Sequence, residues 1–401
     1  MKILLYLKEN GIKHALKIIY EYKIDIAIRK IFGVFLKNKP LKNIIVIESH
    51  NDFDSNGGAF YNYLIKNGYN KKYKIVWLLK HSLTEKLPHN VTSVPLHKPS
   101  VRKNYYKWMA KWFTSDNDCS AKLRDDQISI YFGHGGFGLK NCKGFIELPK
   151  QLDYVAMPSH YLTEIFSDQL MLKSDDSRLC YIGFPYIDNF YSKEKGDLHK
   201  ITKESYKKII LWMPTFRKGG GFKRQDSTVV GKLGIPLING LDEYNRLNEF
   251  LKKNNIFLII KIHPMQDLSD LKISDMSNIR VLTSITVKEL DVDNYRLMKD
   301  CDALISDYSS AAYDFLHCNK PIAYDFSDVK NYKLGLVVSD PKELMAGNYI
   351  SSFDDLIDFI EDIINNKDEY YEKRQDLRSK IFDYYDGNNC KRALDLLKIE
   401  K

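Results

Sequence analysis

Short apolar runs alternate with segments of helix length along this chain, and the alternation occurs twice. Ile44–Ile47, Ile75–Leu79, Ile128–Phe132, Tyr154–Met157 and Leu179–Ile182 form the first series. An uninterrupted apolar run bounded by polar turns suits a strand buried on both faces, and the longer spacers supply the crossovers that a parallel sheet needs. The series stops in the polar stretch 192–208 and resumes at Ile209–Met213, Ile256–Ile262, Ile279–Leu282, Ala303–Ser306 and Pro321–Tyr324. Two α/β halves joined near residue 200 are expected, with bounds of 43–195 and 205–401. The second closes with helical periodicity beyond Phe353 and a last helix after the turn at 386–392. A chain of 401 residues exceeds the usual size of one core, which agrees with this division.

Residues 1–42 stand apart. They hold ten Lys/Arg against Glu9, Glu21 and Asp25, so +7 of the formal charge of +9 lies there. Ile12, Leu16, Ile19, Ile26 and Phe35, with basic residues between them, predict one or two amphipathic helices lying on an anionic membrane surface, with Phe32, Val34, Phe35 and Leu36 as insertion candidates. The alternative is a helix packed on the domain surface. The opening MKILLYL is too short for a signal peptide and no later run is long enough to span a bilayer, so a peripheral position at the cytoplasmic face of the membrane is expected. Nucleic acid is not an expected partner, since no aromatic RNA-binding motif accompanies the charge. The six cysteines are scattered without a CxxC pair and read as reduced thiols.

Several apolar runs end in chemistry-bearing residues. Ala303–Ser306 is followed by Asp307, Tyr308, Ser309 and Ser310 at the start of a helix pattern, where free N–H groups and hydroxyls favour a phosphate. His134 lies in the glycine-rich Tyr131–Gly138 stretch after a strand, where an imidazole suits general-base work. His263, before Pro264, has the same placement. Arg217, after Pro214-Thr-Phe, suits bidentate diphosphate binding, and the following Lys218–Phe222 loop reads as one that closes on substrate. Glu48, His50, Asp52 and Asp54 cluster after the first strand. A carboxylate there orients the base or an acceptor hydroxyl, or else caps a helix. DxD triplets at 52–54, 116–118, 291–293 and 300–302 are as frequent as 52 acidic residues give by chance, and no metal site is assigned to them.

Taken in order, these segments resemble the CDP-glycerol glycerophosphotransferase family. The likeness runs over about residues 43–397, through Glu48–Ala59 with Tyr73–Trp77, Gly133-His-Gly-Gly136, Pro158-Ser-His-Tyr161, Gly183–Asp188, Pro214-Thr-Phe-Arg217, His263-Pro264, Ser306–Ser310 and Asp386–Arg392. The resemblance implies a GT-B-like fold, with two Rossmann-like domains facing a cleft and the nucleotide held mostly by the second. It implies a phosphotransferase that moves glycerol phosphate from CDP-glycerol to a hydroxyl of a lipid-linked or capsular glycan, releasing CMP without a bound metal or cofactor. CDP-ribitol is the alternative alditol donor. A GT-B glycosyltransferase using a nucleotide sugar is the competing reading. Carried over by position, His134 is the base, with Glu48 and Asp54 beside it. Arg217, His263, Asp307, Ser309, Ser310 and Arg392 bind the donor. Gly136-Phe137 departs from the Thr-Pro usual after the His-Gly pair.

Overall fold

The two series of apolar runs form two all-parallel sheets. The computed structural model describes residues 2–117, 119, 122–219, 225–227 and 231–401, with backbone alone for 2–10 and 14. The first sheet comprises β1 (Lys42–Glu48), β2 (Lys74–Leu79), β3 (Val91–Pro95), β4 (Ala110–Ser115), β5 (Ile128–Tyr131), β6 (Tyr154–Ala156) and β7 (Leu179–Cys180), in the order β3-β2-β1-β4-β5-β6-β7. The second comprises β8 (Lys208–Trp212), β9 (Ile256–Lys261), β10 (Ile279–Leu282), β11 (Ala303–Ser306), β12 (Ile322–Asp325) and β13 (Asn348–Ile350), in the order β10-β9-β8-β11-β12-β13. Both orders reverse beside the first strand of the sheet. In doubly wound sheets ligands bind at that reversal, outside the carboxyl ends of the strands. The reversals fall between β1 and β4 and between β8 and β11.

Three of these strands, β3, β4 and β13, go beyond the sequence expectation. They are short or interrupted by polar residues, and β4 joins directly to the helix Val101–Met109, which hides its period. β4 is the consequential omission, because Asp116 follows it directly on the reversal.

The sheets are packed against each other rather than strung apart. One apolar cluster runs from Ile45 and Trp77 through Phe184 and Tyr186 to Tyr308, Leu304 and Ile259. Tyr186 stacks on Tyr295 at 4.4 Å and donates its hydroxyl to Asp314 at 2.6 Å. The last helix, Asn389–Leu397, returns to the first sheet: the Trp112 indole N–H donates to the Leu397 carbonyl at 2.8 Å, and the Tyr73 hydroxyl to that of Glu400 at 2.6 Å.

The N-terminal helix Lys2–Leu36 is broken at Gly11, whose φ of 77° is left-handed. Its final turns dock on Val101–Met109: Lys103 pairs with Asp25 at 3.1 Å, the Trp108 indole donates to the Arg29 carbonyl at 2.8 Å, and Phe32 meets Tyr105. Among the described side chains of the helix, Ile12, Leu16, Ile31, Val34 and Phe35 are exposed, because the docked face consumes one set of apolar residues and leaves another in solvent. Of the four insertion candidates, Val34 and Phe35 are exposed, whereas Phe32 packs on Tyr105 and Leu36 on the first-sheet core. Among the described residues no helix is long and apolar enough to cross a membrane.

Candidate active site

Residues at the carboxyl ends of β1, β4 and β5 converge. His134 follows β5 in a turn that needs left-handed backbone at Gly133 (φ 85°) and Gly135 (φ 75°). The turn is held from below by Asn56, fully buried, whose side-chain amide donates to the Gly133 carbonyl at 2.9 Å and accepts from the Tyr186 N–H at 3.2 Å. His134 itself opens to solvent, while its ring lies 3.7 Å from that of His50, tilted by 34°. The surrounding protein, and then the positive charge of His50, Lys80 and Lys140, hold the His134 imidazole well below its ordinary range. It is therefore neutral, and able to accept a proton, near pH 7.

His50 is fixed in turn. Its backbone N–H donates to Asp116 at 2.5 Å, and its Nδ1 lies 3.0 Å from the Asn117 side-chain oxygen, which places the ring proton on Nδ1. Asp116 also accepts from the Gly57 N–H at 2.9 Å, and burial followed by the Glu48 charge pushes its carboxyl up to about 8. Glu48 is fully buried and accepts from the Asn117 N–H at 3.3 Å. It bears on the base through Asn117 and His50. Asp54 caps the helix Ser55–Lys66, accepting from the Ser55 N–H at 2.6 Å, and remains exposed. The capping role read as an alternative in the sequence is present, and the carboxylate stays open to the cleft.

The second sheet contributes the facing side. Ser309 caps the one-turn helix Ser310–Asp314. The His134 loop lies directly on this turn: the Leu139 N–H donates to the Tyr308 carbonyl at 3.1 Å, and a Cβ on Gly138 would stand 2.9 Å from the Ser310 nitrogen. A Cβ on Gly135 would stand 3.6 Å from the Ser310 hydroxyl oxygen. Glycine at 138 is what permits the approach, whereas a Cβ at 135 would make an ordinary contact, and the candidate base and the candidate phosphate turn are thereby neighbours. His263 is half-buried beside Phe216, and its Nδ1 accepts the Met265 N–H at 3.0 Å, so the neutral ring carries its proton on Nε2 as a donor. A cavity of about 510 Å³, lined among others by Pro214, Thr215, Ile235, Leu237, His263 and Phe353, opens at this end of the second sheet.

Arg217 lines this cavity, but its donors are engaged by the protein's own carboxylates, Asp307 among them. The Arg217 guanidinium is buried, giving its donors to Asp307 at 2.6 Å, to both Asp328 oxygens at 2.9 and 3.0 Å, and to the Thr215 carbonyl at 2.7 Å. Asp307 is fully buried and also accepts from the Thr215 N–H and hydroxyl at 2.8 and 2.5 Å. The pair ties the ends of β8 and β11 together, leaving no bidentate fork toward the cleft. Arg392 bonds Asn389 at 2.9 Å and Asp386, and covers the Tyr384 ring at 3.6 Å. None of these contacts reaches the Ser309–Ser310 turn. The glycine run of Lys218–Phe222 lies largely outside the described residues, as does Asp118 of the 116–118 triplet. The carboxylates of the other triplets serve backbone N–H groups: Asp52 those of Lys80 and His81, Asp293 those of Tyr295 and Arg296, Asp302 that of Ile209.

Sequence reading missed Asn56, Asp116 and Asn117, which position the base. Asn56 carried no signal beyond its place after the first strand. Asp116 was visible only as part of a DxD triplet, since its strand was not recognised.

The geometry has counterparts in known proteins. The chain is 26% identical over 390 residues to a teichoic acid glycerol-phosphate primase of Bacillus subtilis, covering 90% of this chain and 92% of that protein. It is 30% identical over 193 residues to the ribitol-phosphate polymerase TarL of Staphylococcus aureus, covering 47% of this chain and 30% of that one. The structure of the wall teichoic acid polymerase TagF superposes with a TM-score of 0.73 at 20% identity, covering 99% of this chain and 98% of TagF, which establishes the GT-B-like fold. The pattern of the CDP-glycerol:poly(glycerophosphate) glycerophosphotransferase family matches residues 31–398, and the chain accordingly belongs to that family of transferases.

Proposed function

We propose that this protein transfers glycerol phosphate from CDP-glycerol to a hydroxyl of a lipid-linked or capsular glycan, releasing CMP. The observation that supports the reading is the seating of the His134 loop on the Ser309–Ser310 turn, which puts the neutral imidazole we assign as base beside the turn we assign to phosphate, in a member of this family.

In the proposed reaction the cytidine end of the donor occupies the 510 Å³ cavity. The N–H groups and hydroxyls of Ser309 and Ser310, with the Nε2 donor of His263, receive the diphosphate. His134 accepts the proton of the acceptor hydroxyl as its oxygen attacks the glycerol-bearing phosphorus. The bond from that phosphorus to the bridging oxygen breaks, and CMP leaves with the electron pair. Positioning and charge neutralisation carry most of such a transfer. Asp54, on the open edge, orients the acceptor, while Glu48 supports His50 from below. Arg217 and Asp307 act by holding the floor of the donor site, and Arg392 by fixing the turn that leads into the last helix.

The exposed Val34 and Phe35, with the surrounding lysines, support peripheral attachment to an anionic membrane, where a lipid-linked acceptor resides. The near-complete overlap with a glycerol-phosphate primase favours glycerol over ribitol. The test is CMP release from CDP-glycerol and from CDP-ribitol, each with lipid-linked disaccharide acceptors and a His134→Ala control. Release from CDP-glycerol alone is expected. Release no greater than the control with either donor would overturn the reading.

A further inference from the structure

Lys261 is the last residue of β9, and it is 6% exposed. Along β9 the side chains alternate between two cores. Phe257 and Ile259 enter the cluster shared with the first sheet, and Leu258 and Ile260 enter the one on the opposite face. Lys261 continues the row of Phe257 and Ile259, so its stem runs on the face that meets the first domain. The next two residues, Ile262 and His263, line the donor cavity.

The Lys261 ammonium makes no ion pair within 4 Å and no hydrogen bond among the described residues. Burial lowers its affinity for the proton to about pH 8, and the charge that opposes this is the carboxylate of Asp54, across the domain seam. Among the described residues, Arg217 has Asp307 and Asp328, Arg374 has Asp368, and Lys103 has Asp25 and two carbonyls. Lys107, which burial also lowers to about 8, has no ion pair among them either, but it lies on Val101–Met109, away from the donor cavity. An uncompensated ammonium in the interior is costly and is retained where an anion comes to it.

Resting on the CDP-glycerol reading, we propose that Lys261 is the cation that meets the transferring phosphate, pairing with a non-bridging oxygen of the glycerol-bearing group. Two placements single out that phosphate rather than the one on cytidine. Lys261 shares its strand end with His263, and it faces the first domain, where the base stands. The lysine keeps its proton throughout. It offsets the negative charge on the phosphate as the acceptor oxygen bonds to phosphorus and CMP departs, and no bond to the lysine forms or breaks. It supplies the cationic group that Arg217, engaged by its own carboxylates, does not offer.

The test compares wild type with Lys261→Met and Lys261→Gln by thermal melting in CMP, CDP and CDP-glycerol, together with CMP release. Without ligand, both variants are expected to melt at or above the wild-type temperature, because a buried unpaired charge has been removed. Both should keep the response to CMP, which lacks the second phosphate, and lose the additional shift given by CDP and CDP-glycerol. Turnover should fall about a hundredfold or more. Variants that respond to CDP-glycerol as fully as wild type would overturn the proposal. So would a ligand-free melting temperature several degrees below wild type in both, which would make Lys261 a structural group. A wild-type protein that responds to none of the three ligands would instead remove the donor reading, and Lys261's role with it.

Discussion

The imidazole of His50 lies 3.7 Å from that of His134, tilted by 34°, so the group in contact with the proposed base is a second histidine and not a carboxylate. Replacing His134 by alanine should lower CMP release about 10²- to 10⁴-fold. Because its surroundings depress the His134 imidazole, the base form persists as pH falls through the ordinary histidine range near 6.5. In the pH profile of kcat/KM, the acid limb should therefore lie below that range. His50→Gln removes one of the cations responsible, and its limb should move upward. An unmoved limb would show that His50 does not tune the base.

Arg217 is held among Asp307, Asp328 and, at 3.9 Å, Asp325. Arg217→Ala leaves those buried carboxylates without a counter-charge and should cost about 3–5 kcal/mol of stability. Urea unfolding measures this directly. A variant as stable as wild type, impaired only in donor affinity, would instead restore the ligand-clamp role.

The Asp314 carboxyl is pushed up to about 7 from 3.8 by burial, against the Tyr186 hydroxyl that donates to it. The folded state thus holds this proton more tightly than the unfolded chain. The corresponding stability is fully present below about pH 4 and is lost as pH rises through 7. Asp314→Asn keeps an acceptor for Tyr186 and removes the titration. Its stability relative to wild type should rise from pH 4 to pH 8 by a few kcal/mol, as read from melts across that range. A constant difference would refute the shift. Asp116, pushed up to about 8, has the same sign and will leave residual pH dependence in the variant.

Gly136 follows the His134-Gly135 pair, where the family resemblance leads one to expect threonine. A Cβ there would stand 2.4 Å from the Tyr186 hydroxyl oxygen and 2.7 Å from an Asp314 carboxylate oxygen. Gly136→Thr should therefore destabilise the protein by about 1–3 kcal/mol. Adding Tyr186→Phe, which opens space at the nearer contact, should recover part of that loss. A stable single variant would mean that the loop shifts freely.

Val34 and Phe35 project from the N-terminal helix at 72% and 69% exposure. Changing both to glutamate should reduce sedimentation with anionic vesicles several-fold while leaving the melting temperature unchanged, because neither supports the core. Equal sedimentation of the double variant would exclude this end of the helix as the membrane contact.

By itself the sequence determined the two α/β halves, because strands buried on both faces must be written as uninterrupted apolar runs. It also placed His134, His263, Ser309 and Ser310 at strand ends, where polar residues are conspicuous after such runs. Tertiary structure alone decided which of these meet. Gly138 lets the His134 loop lie on a turn some 170 residues away, and spacing along the chain carries no record of that approach. The same holds for charge. Arg217 looked like a ligand clamp in sequence, yet packing surrounds it with carboxylates that follow β11 and β12, whereas Lys261, inside the apolar run Ile256–Ile262, is left unpaired at the seam. Whether a cation serves the fold or a ligand depends on which carboxylates folding brings within hydrogen-bonding reach, and only the assembled molecule fixes those distances.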